Sequence, residues 1–232
     1  MLTIALPKGR LQAKALARFA AAGLVPDEEP GSSRKLIVPA RAGGSTIARF
    51  LVLKDGDVPL YVERGAADLG VCGLDQLLES GADVLSPVDL GFGRCRLCLA
   101  APRARLGGAP PGSEAAFNAV VDGAQPGTSL RVATKYPRLA VRGFARRGVP
   151  VDLVKLSGSV ELAAVAGLSD AIVDLVESGR TLEENGLVIA SELLQVSARL
   201  IVNRASYRLK LDDLLPLLAR VGPDPEIAGA VP

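Results

Sequence analysis

The sequence predicts an α/β protein with two lobes, each built on a mainly parallel sheet covered by helices. Short apolar runs typical of buried strands alternate with segments of helical periodicity along most of the chain. The alternation occurs in two blocks, separated by a stretch at 102–129 that is rich in Pro, Gly and Ala and has no sustained period. Of the 232 residues 49% are apolar, which suits two separate cores.

The first block begins with a strand at 2–6, followed by the turn PKGR and a helix at 11–22 that Gly23 ends. Short helices closed by glycine are predicted at 58–65 and 74–81. Further strand-type runs lie at 35–40, 50–54, 68–73, 83–88 and 94–100.

The second block contains strands at 130–136, 151–158 and 170–176. A helix runs from Pro137 to Gly148, and another occupies 160–167. In α/β sheets ligands bind at the carboxyl ends of the strands, so the loops at those ends are where a site is expected. The 102–129 stretch is interpreted as a connection or a surface excursion.

Composition excludes several classes of function. The 27 Lys and Arg residues nearly balance the 25 Asp and Glu residues, and aromatic residues make up only 3%, so neither a basic surface nor a base-stacking platform for nucleic acid is expected. The chain has no histidine, which removes imidazole bases and histidine metal ligands. It also has no long apolar segment and no signal-like start, so we expect a cytoplasmic protein without a membrane partner.

The three cysteines suit a reducing compartment. Cys95 and Cys98 have the CxxC spacing, but they lie within a strand-type run. With no second pair and no histidine, we interpret them, like Cys72, as small buried hydrophobic residues.

The sharpest candidate site follows the last strand of the second block. The run from Asp170 to Asp174 leads into the turn Ser178-Gly179-Arg180-Thr181 and a helix start. Backbone N–H groups, two hydroxyls and a helix N-terminus make a cradle for a phosphate monoester, and Asp174 at the strand end suits sugar hydroxyls or Mg²⁺. The alternative is an ordinary strand-turn-helix in which Thr181 caps the helix.

A second candidate is the Lys8-Gly9-Arg10 turn after the first strand. Two cations beside a glycine suit an anion such as pyrophosphate or triphosphate, although such a turn is often only a solvated loop. Neither GxxxxGK[ST] nor GxGxxG occurs, so the usual NTPase and dinucleotide motifs are absent.

Several segments resemble ATP phosphoribosyltransferases, the first enzymes of histidine biosynthesis. They are LTIALPKGRL, DVPLYVERGAADLGVCGLDQL, VDLGFGRCRL, RVATKYP and ELAAVAGLSDAIVDLVESGRTLEENGL, in the same order from Leu2 to about Tyr207. The resemblance implies attack of N1 of ATP on C1 of phosphoribosyl pyrophosphate, with loss of pyrophosphate, inversion and a requirement for Mg²⁺. No general base is needed, because this nitrogen is unprotonated.

The resemblance also implies a periplasmic-binding-protein-like fold with the active site in a central cleft. The first domain would be 1–98 plus 188–232, on the ATP side, and the second 99–187, carrying the phosphoribosyl pyrophosphate loop.

Site residues are implied by position. Those for phosphoribosyl pyrophosphate are Glu161, Asp170, Ala171, Asp174, Ser178, Gly179, Arg180 and Thr181, with Asp174 as a candidate Mg²⁺ ligand. The candidate catalytic cations are Lys8, Arg10 and Lys54. The candidates for ATP are Arg10, Arg34, Lys54, Glu63 and Asp68.

Some of these assignments have alternatives. Lys54 stands where the family has arginine, which keeps the charge and loses the bidentate fork. Glu63 also suits a solvated helix end, Asp68 a local cap or ion pair, and Arg34 an ordinary surface charge.

The chain ends shortly after the SYR segment, without a further domain, and so resembles the short form of the family. That form works with a regulatory subunit resembling histidyl-tRNA synthetase in a hetero-oligomer, which would carry feedback by histidine. Dimerisation of the short chain is a further implication.

Two rival functions share parts of this pattern. A solute-binding protein also has two α/β lobes, but it would not need the phosphate loop at 170–181. Purine and pyrimidine phosphoribosyltransferases place two adjacent acids before their phosphate loop, whereas Asp170 and Asp174 are four residues apart.

Overall fold

A computed structural model describes residues 1–31, 34–124 and 127–222. The described residues form two compact units, one from 1–94 together with 197–222, the other from 95–196. The α/β class and the two-lobe organisation are confirmed. The boundaries expected at 98 and 188 fall inside two strands that pair with each other in the second unit, so a division there would split a single ladder.

The first unit contains seven strands among its described residues. The strands are β1 Leu2–Pro7, β2 Val25–Pro26, β3 Ile37–Ala42, β4 Ser45–Leu53, β5 Leu69–Gly73, β6 Leu85–Asp89 and β12 Ala198–Val202. The helices are α1 Gln12–Ala21, α2 Val58–Glu63, α3 Leu74–Ser80, α8 Arg204–Leu209 and α9 Leu211–Val221.

The second unit contains five strands and four α-helices within 95–124 and 127–196. The strands are β7 Cys95–Pro102, β8 Leu130–Thr134, β9 Val151–Lys155, β10 Ala171–Val176 and β11 Leu187–Val196. The helices are α4 Glu114–Asp122, α5 Pro137–Ala145, α6 Val160–Val165 and α7 Arg180–Glu184.

Both sheets are mixed, with three adjacent parallel strands in each, and this refines the expectation of mainly parallel sheets. The first has the order β2-β3-β4-β1-β5-β12-β6, in which β1 is parallel to β4 and β5. The second has the order β11-β7-β10-β8-β9, in which β8 is parallel to β9 and β10. Because only Gly43 and Gly44 join β3 to β4, that connection is a hairpin and its strands are antiparallel.

The core of the first unit packs helices on both faces of its sheet. On one face Phe19 of α1 lies 5.5 Å from Phe50 of β4, ring centre to ring centre. On the other face, Val58 and Val62 of α2 approach Gly70 so closely that a Cβ there would lie 2.9 and 3.0 Å from their methyl groups. Glycine in β5 therefore allows α2 to pack directly on the strand.

The second unit has the same layering. Phe117 of α4 and Phe144 of α5 lie 5.8 Å apart on one side, and Leu182 of α7 packs with Cys98 and Ile172 on the other. All three cysteines are buried free thiols, which confirms their interpretation as small hydrophobic residues. Burial raises the pKa of Cys98 to about 11.

The 102–129 stretch contains a helix that the sequence interpretation missed. Ser113 caps α4 by accepting a hydrogen bond from the Ala116 N–H at 3.1 Å. Ala116, Phe117 and Val120 are buried, and this spacing is helical. No helix among the described residues is long and apolar enough to cross a membrane.

Candidate active site

The carboxyl edge of the first sheet carries two adjacent lysines. Lys8 follows β1 and Lys54 follows β4, and these strands are parallel with Pro7 paired to Leu53. The Lys8 N–H donates to the Leu53 carbonyl oxygen at 2.7 Å. The two strand ends are therefore about 5 Å apart, and both lysine side chains leave the backbone at the same edge of the sheet.

Two arginines lie at the same edge. Gly9, with φ of +94°, turns the chain after β1, so that exposed Arg10 comes just before α1. Ile37 pairs with Leu51 in antiparallel β3 and β4, so the segment entering β3, with exposed Arg34, also comes from this edge. The structure thus brings Lys8, Arg10, Arg34 and Lys54 to one side of the unit.

Sequence reasoning missed a buried carboxylate at this edge. Asp75, in the first turn of α3, is only 4% exposed and accepts a hydrogen bond from Gln76 Nε2 at 3.0 Å. It folds back over Gly73, where a Cβ would lie 2.1 Å from its carboxylate oxygen. The available signal was GLDQ directly after a buried strand, at the end where ligands bind.

The carboxyl edge of the second sheet collects most of the predicted sugar-phosphate residues. Half-buried Asp174 lies near the end of β10, and the loop from Ser178 to Thr181 follows it. Glu161 lies in the first turn of α6, the helix that follows β9 in the chain. The parallel β8, β9 and β10 bring these residues to one edge.

The Ser178 loop has the shape of a tight turn into α7. Gly179 has φ of +85°, a left-handed conformation that favours glycine. The Arg180 N–H points to Ser178 Oγ at 3.4 Å, and Asn185 Nδ2 donates to the Thr181 carbonyl oxygen at 2.8 Å. The side chains of Ser178, Arg180 and Thr181 are exposed, so they are accessible to an anion.

Three further residues at this edge were not predicted. Lys135 follows β8, Lys155 ends β9, and Ser159 precedes α6 with φ of +48°. The signal was available in TKYP and KLSGS, because both motifs lie at the carboxyl ends of strands that the sequence already predicted.

Asp68 and Glu63, both predicted to contact ATP, lie at the opposite edge of the first sheet from Lys8 and Lys54. Asp68 precedes β5, is 4% exposed, and accepts hydrogen bonds from the Thr3 N–H at 2.8 Å, Ser206 Oγ at 2.6 Å and Lys210 Nζ at 2.8 Å. Glu63 accepts from the Asp83 N–H at 2.8 Å. Asp68 therefore ties β1 to α8, and Glu63 supports the entry to β6.

Opposing effects determine the protonation of Asp68. Burial alone raises the pKa of this carboxyl group. The hydrogen bonds from Lys210, Ser206 and the Thr3 N–H outweigh that effect, so the pKa is below its ordinary value. Asp68 is therefore a charged, structurally satisfied group.

Asp170 and Ala171 likewise lie at the amino edge of the second sheet, away from the Ser178 loop. β10 is six residues long, so about 17 Å separates its two ends. Asp170 accepts from Arg105 Nη2 at 2.6 Å, and from the Arg131 N–H at 3.0 Å and Nη2 at 3.1 Å. Ala171 is fully buried in β10. These contacts suit a structural role for both residues.

The two arginines also explain the ionisation of Asp170. Burial raises the pKa of this carboxyl group, but the hydrogen bonds from Arg131 and the charges of Arg105 and Arg131 bring it below the ordinary value. The carboxylate is thus neutralised within the unit.

No group of three or more acidic or cysteine side chains that could hold a metal ion occurs among residues 1–31, 34–124 and 127–222. Magnesium commonly uses one or two carboxylates together with substrate phosphates. The position of Asp174 beside the Ser178 loop fits that arrangement and does not fit a site made by protein alone.

A model of the family described as ATP phosphoribosyltransferase matches residues 54–222. The chain belongs to the ATP phosphoribosyltransferase family. The ATP phosphoribosyltransferase of Cupriavidus metallidurans is 45% identical to this chain, over 94% of the chain and 90% of that protein. The ATP phosphoribosyltransferase of Chromobacterium violaceum is 43% identical, over 100% of the chain and 99% of that protein. The family match includes Lys54 and the Glu161 to Thr181 region, whereas Lys8, Arg10 and Arg34 precede it.

Solved structures support this assignment. An ATP phosphoribosyl transferase (HisG:HisZ) complex from Thermotoga maritima is 32% identical with a TM-score of 0.75, covering 95% of this chain and 96% of that one. The alkanesulfonate-binding protein SsuA from Xanthomonas axonopodis has a TM-score of 0.51 at 14% identity, over 95% of this chain and 71% of that one. The second likeness concerns the fold alone, so it gives no support to the solute-binding function.

Proposed function

We propose that this ATP phosphoribosyltransferase transfers the 5-phosphoribosyl group of phosphoribosyl pyrophosphate to N1 of ATP. The bond from C1 to the pyrophosphate oxygen breaks as the lone pair of N1 forms the new bond, with inversion at C1. The observation that carries the proposal is the family match across 54–222, which contains the exposed Ser178 loop. The product is N1-(5-phosphoribosyl)-ATP, the first intermediate of histidine biosynthesis.

In this proposal the second unit binds the sugar phosphate. Ser178 and Thr181 contribute exposed hydroxyls, and Gly179 leaves space for the 5-phosphate, since a Cβ there would meet only Val176 at 3.9 Å. Asp174 and Glu161 lie at the same edge and suit the ribose hydroxyls. A carboxylate accepts two such hydrogen bonds without a change of protonation.

The cations of the first unit stabilise negative charge in the same scheme. Charge builds on the departing pyrophosphate as the C1–O bond breaks, and lysines fixed at neighbouring strand ends can stabilise it without moving. Lys8 and Lys54 fit this role because the Lys8 N–H bond to Leu53 holds their backbones together. Arg10 and Arg34 are assigned to the ATP phosphates.

Magnesium is proposed to arrive with the substrate phosphates, with Asp174 as one protein ligand. The ion would neutralise phosphate charge and help to orient the diphosphate. The chain's own residues then position the sugar and the two polyphosphate groups.

A hetero-oligomer is proposed as the working form. The Thermotoga maritima structure is described as a complex of two different proteins, HisG and HisZ. A regulatory subunit resembling histidyl-tRNA synthetase, a homodimer of this chain and a cytoplasmic location complete the proposal.

The deciding experiment measures the absorbance of N1-(5-phosphoribosyl)-ATP. Purified full-length chain is incubated with ATP, phosphoribosyl pyrophosphate, Mg²⁺ and pyrophosphatase, with and without the regulatory subunit. Product in either mixture supports the transferase. A folded chain that forms none in both mixtures overturns it.

Lys8 offers a residue-level test of the same proposal. We expect Lys8→Ala to lower kcat about tenfold, because one stabilising cation is lost from the transition state. Lys14→Ala removes an exposed lysine from α1 and should match the wild type. If Lys8→Ala and Lys14→Ala have the same kcat, Lys8 has no role in the reaction and belongs to an ordinary solvated turn.

A further inference from the structure

Two lysines at the carboxyl edge of the second sheet have no assigned role. Thr134 pairs with Lys155 in parallel β8 and β9, and Lys135 is the next residue along from Thr134. The two lysine backbones therefore leave adjacent strands at one edge, with the strands about 5 Å apart. Both side chains are exposed, and neither forms an ion pair or hydrogen bond with any other residue that the structure describes.

The loop between β9 and α6 also has an unusual backbone. Ser159 is the one non-glycine residue with positive φ in the described part of the chain. Left-handed conformations are uncommon for residues with a Cβ and concentrate at ligand sites. Ser157 and Ser159 are exposed here, so two hydroxyls lie in the same short loop as Lys155.

We propose that Lys135, Lys155, Ser157 and Ser159 form a second phosphate subsite. Its ligand is the phosphate chain of a substrate, either the diphosphate of phosphoribosyl pyrophosphate or the triphosphate of ATP. The identity of these two ligands rests on the proposed transferase function. A polyphosphate can accept charge-assisted hydrogen bonds from lysine ammonium groups and further hydrogen bonds from the two hydroxyls.

The strand order separates this subsite from the Ser178 loop. β9 lies two strand spacings from β10, about 10 Å, with β8 between them. One phosphate group cannot contact both places, whereas a substrate with phosphates at two positions can. Lysine suits the second position because its flexible stem and point charge follow a chain whose geometry changes during reaction.

The test compares Lys135→Ala, Lys155→Ala and the double variant of the full-length chain. Inorganic pyrophosphate serves as a direct probe by calorimetry, and steady-state kinetics give KM for each substrate. We expect the double variant to weaken pyrophosphate binding about tenfold or more. Lys155→Arg keeps the charge and should bind pyrophosphate more tightly than Lys155→Ala does. Arg146→Ala, an exposed charge just beyond the far end of α5, is the matched control and should bind as the wild type does.

The kinetic arms identify the occupant. A higher KM for phosphoribosyl pyrophosphate alone assigns the subsite to its diphosphate, and a higher KM for ATP alone assigns it to the triphosphate. Unchanged pyrophosphate binding and both KM values within about twofold of the wild type would overturn the subsite. If the wild type binds pyrophosphate but forms no product, the transferase proposal fails while the binding comparison still decides the subsite.

Discussion

The amino edges of the two sheets hold two buried acids with several hydrogen-bond partners, whereas the carboxyl edges carry exposed lysines. At the amino edges Asp68 and Asp170 are at most 9% exposed, and each accepts at least three hydrogen bonds. At the carboxyl edges Lys8, Lys54 and Lys155 are exposed. The acids at the amino edges therefore stabilise the fold, and the lysines at the carboxyl edges are accessible to a ligand.

One strand contains the whole contrast. Asp170 and Asp174 are four residues apart in the chain, and Asp170, just before β10, forms ion pairs with Arg105 and Arg131. Asp174 accepts a hydrogen bond from the neighbouring Leu175 N–H at 2.8 Å and lies four residues before the Ser178 loop. The end of the strand, and not the residue type, separates a structural acid from a candidate substrate ligand.

The largest expected effect is on stability at the amino edge of the first unit. Asp68→Ala removes the acceptor for the Thr3 N–H and for the Ser206 hydroxyl, both buried, and should lower the free energy of unfolding by about 3 kcal/mol. Urea unfolding followed by circular dichroism measures it.

Asp83→Ala is the matched control for Asp68. Its ion pair with Arg204 joins side chains that are 72% and 57% exposed, so its loss should cost about 0.5 kcal/mol or less. Equal losses in the two variants would contradict the contrast between buried and exposed carboxylates.

The next effect separates the two acids of β10. Asp174→Asn should raise KM for phosphoribosyl pyrophosphate about tenfold and leave KM for ATP within about twofold, because one acceptor for the ribose hydroxyls loses its charge. Asp170→Asn should leave both KM values unchanged and lower stability, since Arg105 and Arg131 lose their counter-charge.

Kinetics and urea unfolding of the same two preparations make the comparison. If Asp174→Asn weakens both substrates equally, its assignment to the ribose fails. If Asp170→Asn raises KM for phosphoribosyl pyrophosphate at full stability, its structural role fails instead.

The sequence predicted the strand-helix alternation well because buried strands and amphipathic helices have distinct periods. The runs at 2–6, 130–136 and 170–176 became β1, β8 and β10 with small shifts at their ends. Strand direction was harder to predict, since apolar runs do not encode whether neighbours are parallel. The β3–β4 hairpin and the antiparallel β7, β11 and β12 depend on how the chain returns.

The candidate site was predicted where a motif and a strand end coincide, as at Ser178 to Thr181. Acids within a family segment were less informative, because Asp68 and Asp170 contact partners 39 to 142 residues away in the chain. Such distant pairing cannot be inferred from local spacing. Lys135 and Lys155 were missed for a different reason, since their position at a predicted strand end is a weaker signal than a glycine-containing phosphate motif.

The smallest expected effect is on the pH dependence of stability. The folded-state pKa values of Asp68 and Asp170 lie below their ordinary value of 3.8, so both carboxylates bind protons less readily in the folded chain. Their contribution is complete above that value and is lost as the pH falls through the folded-state pKa values. The free energy of unfolding of the wild type should therefore decrease from about pH 5 toward pH 2.

Asp170→Asn should flatten part of this decrease, whereas Asp83→Asn, whose carboxylate is largely solvated, should retain it. Urea midpoints across that range give the slopes, and parallel curves for the wild type and Asp170→Asn would mean that the arginine pair does not act through the charge of Asp170.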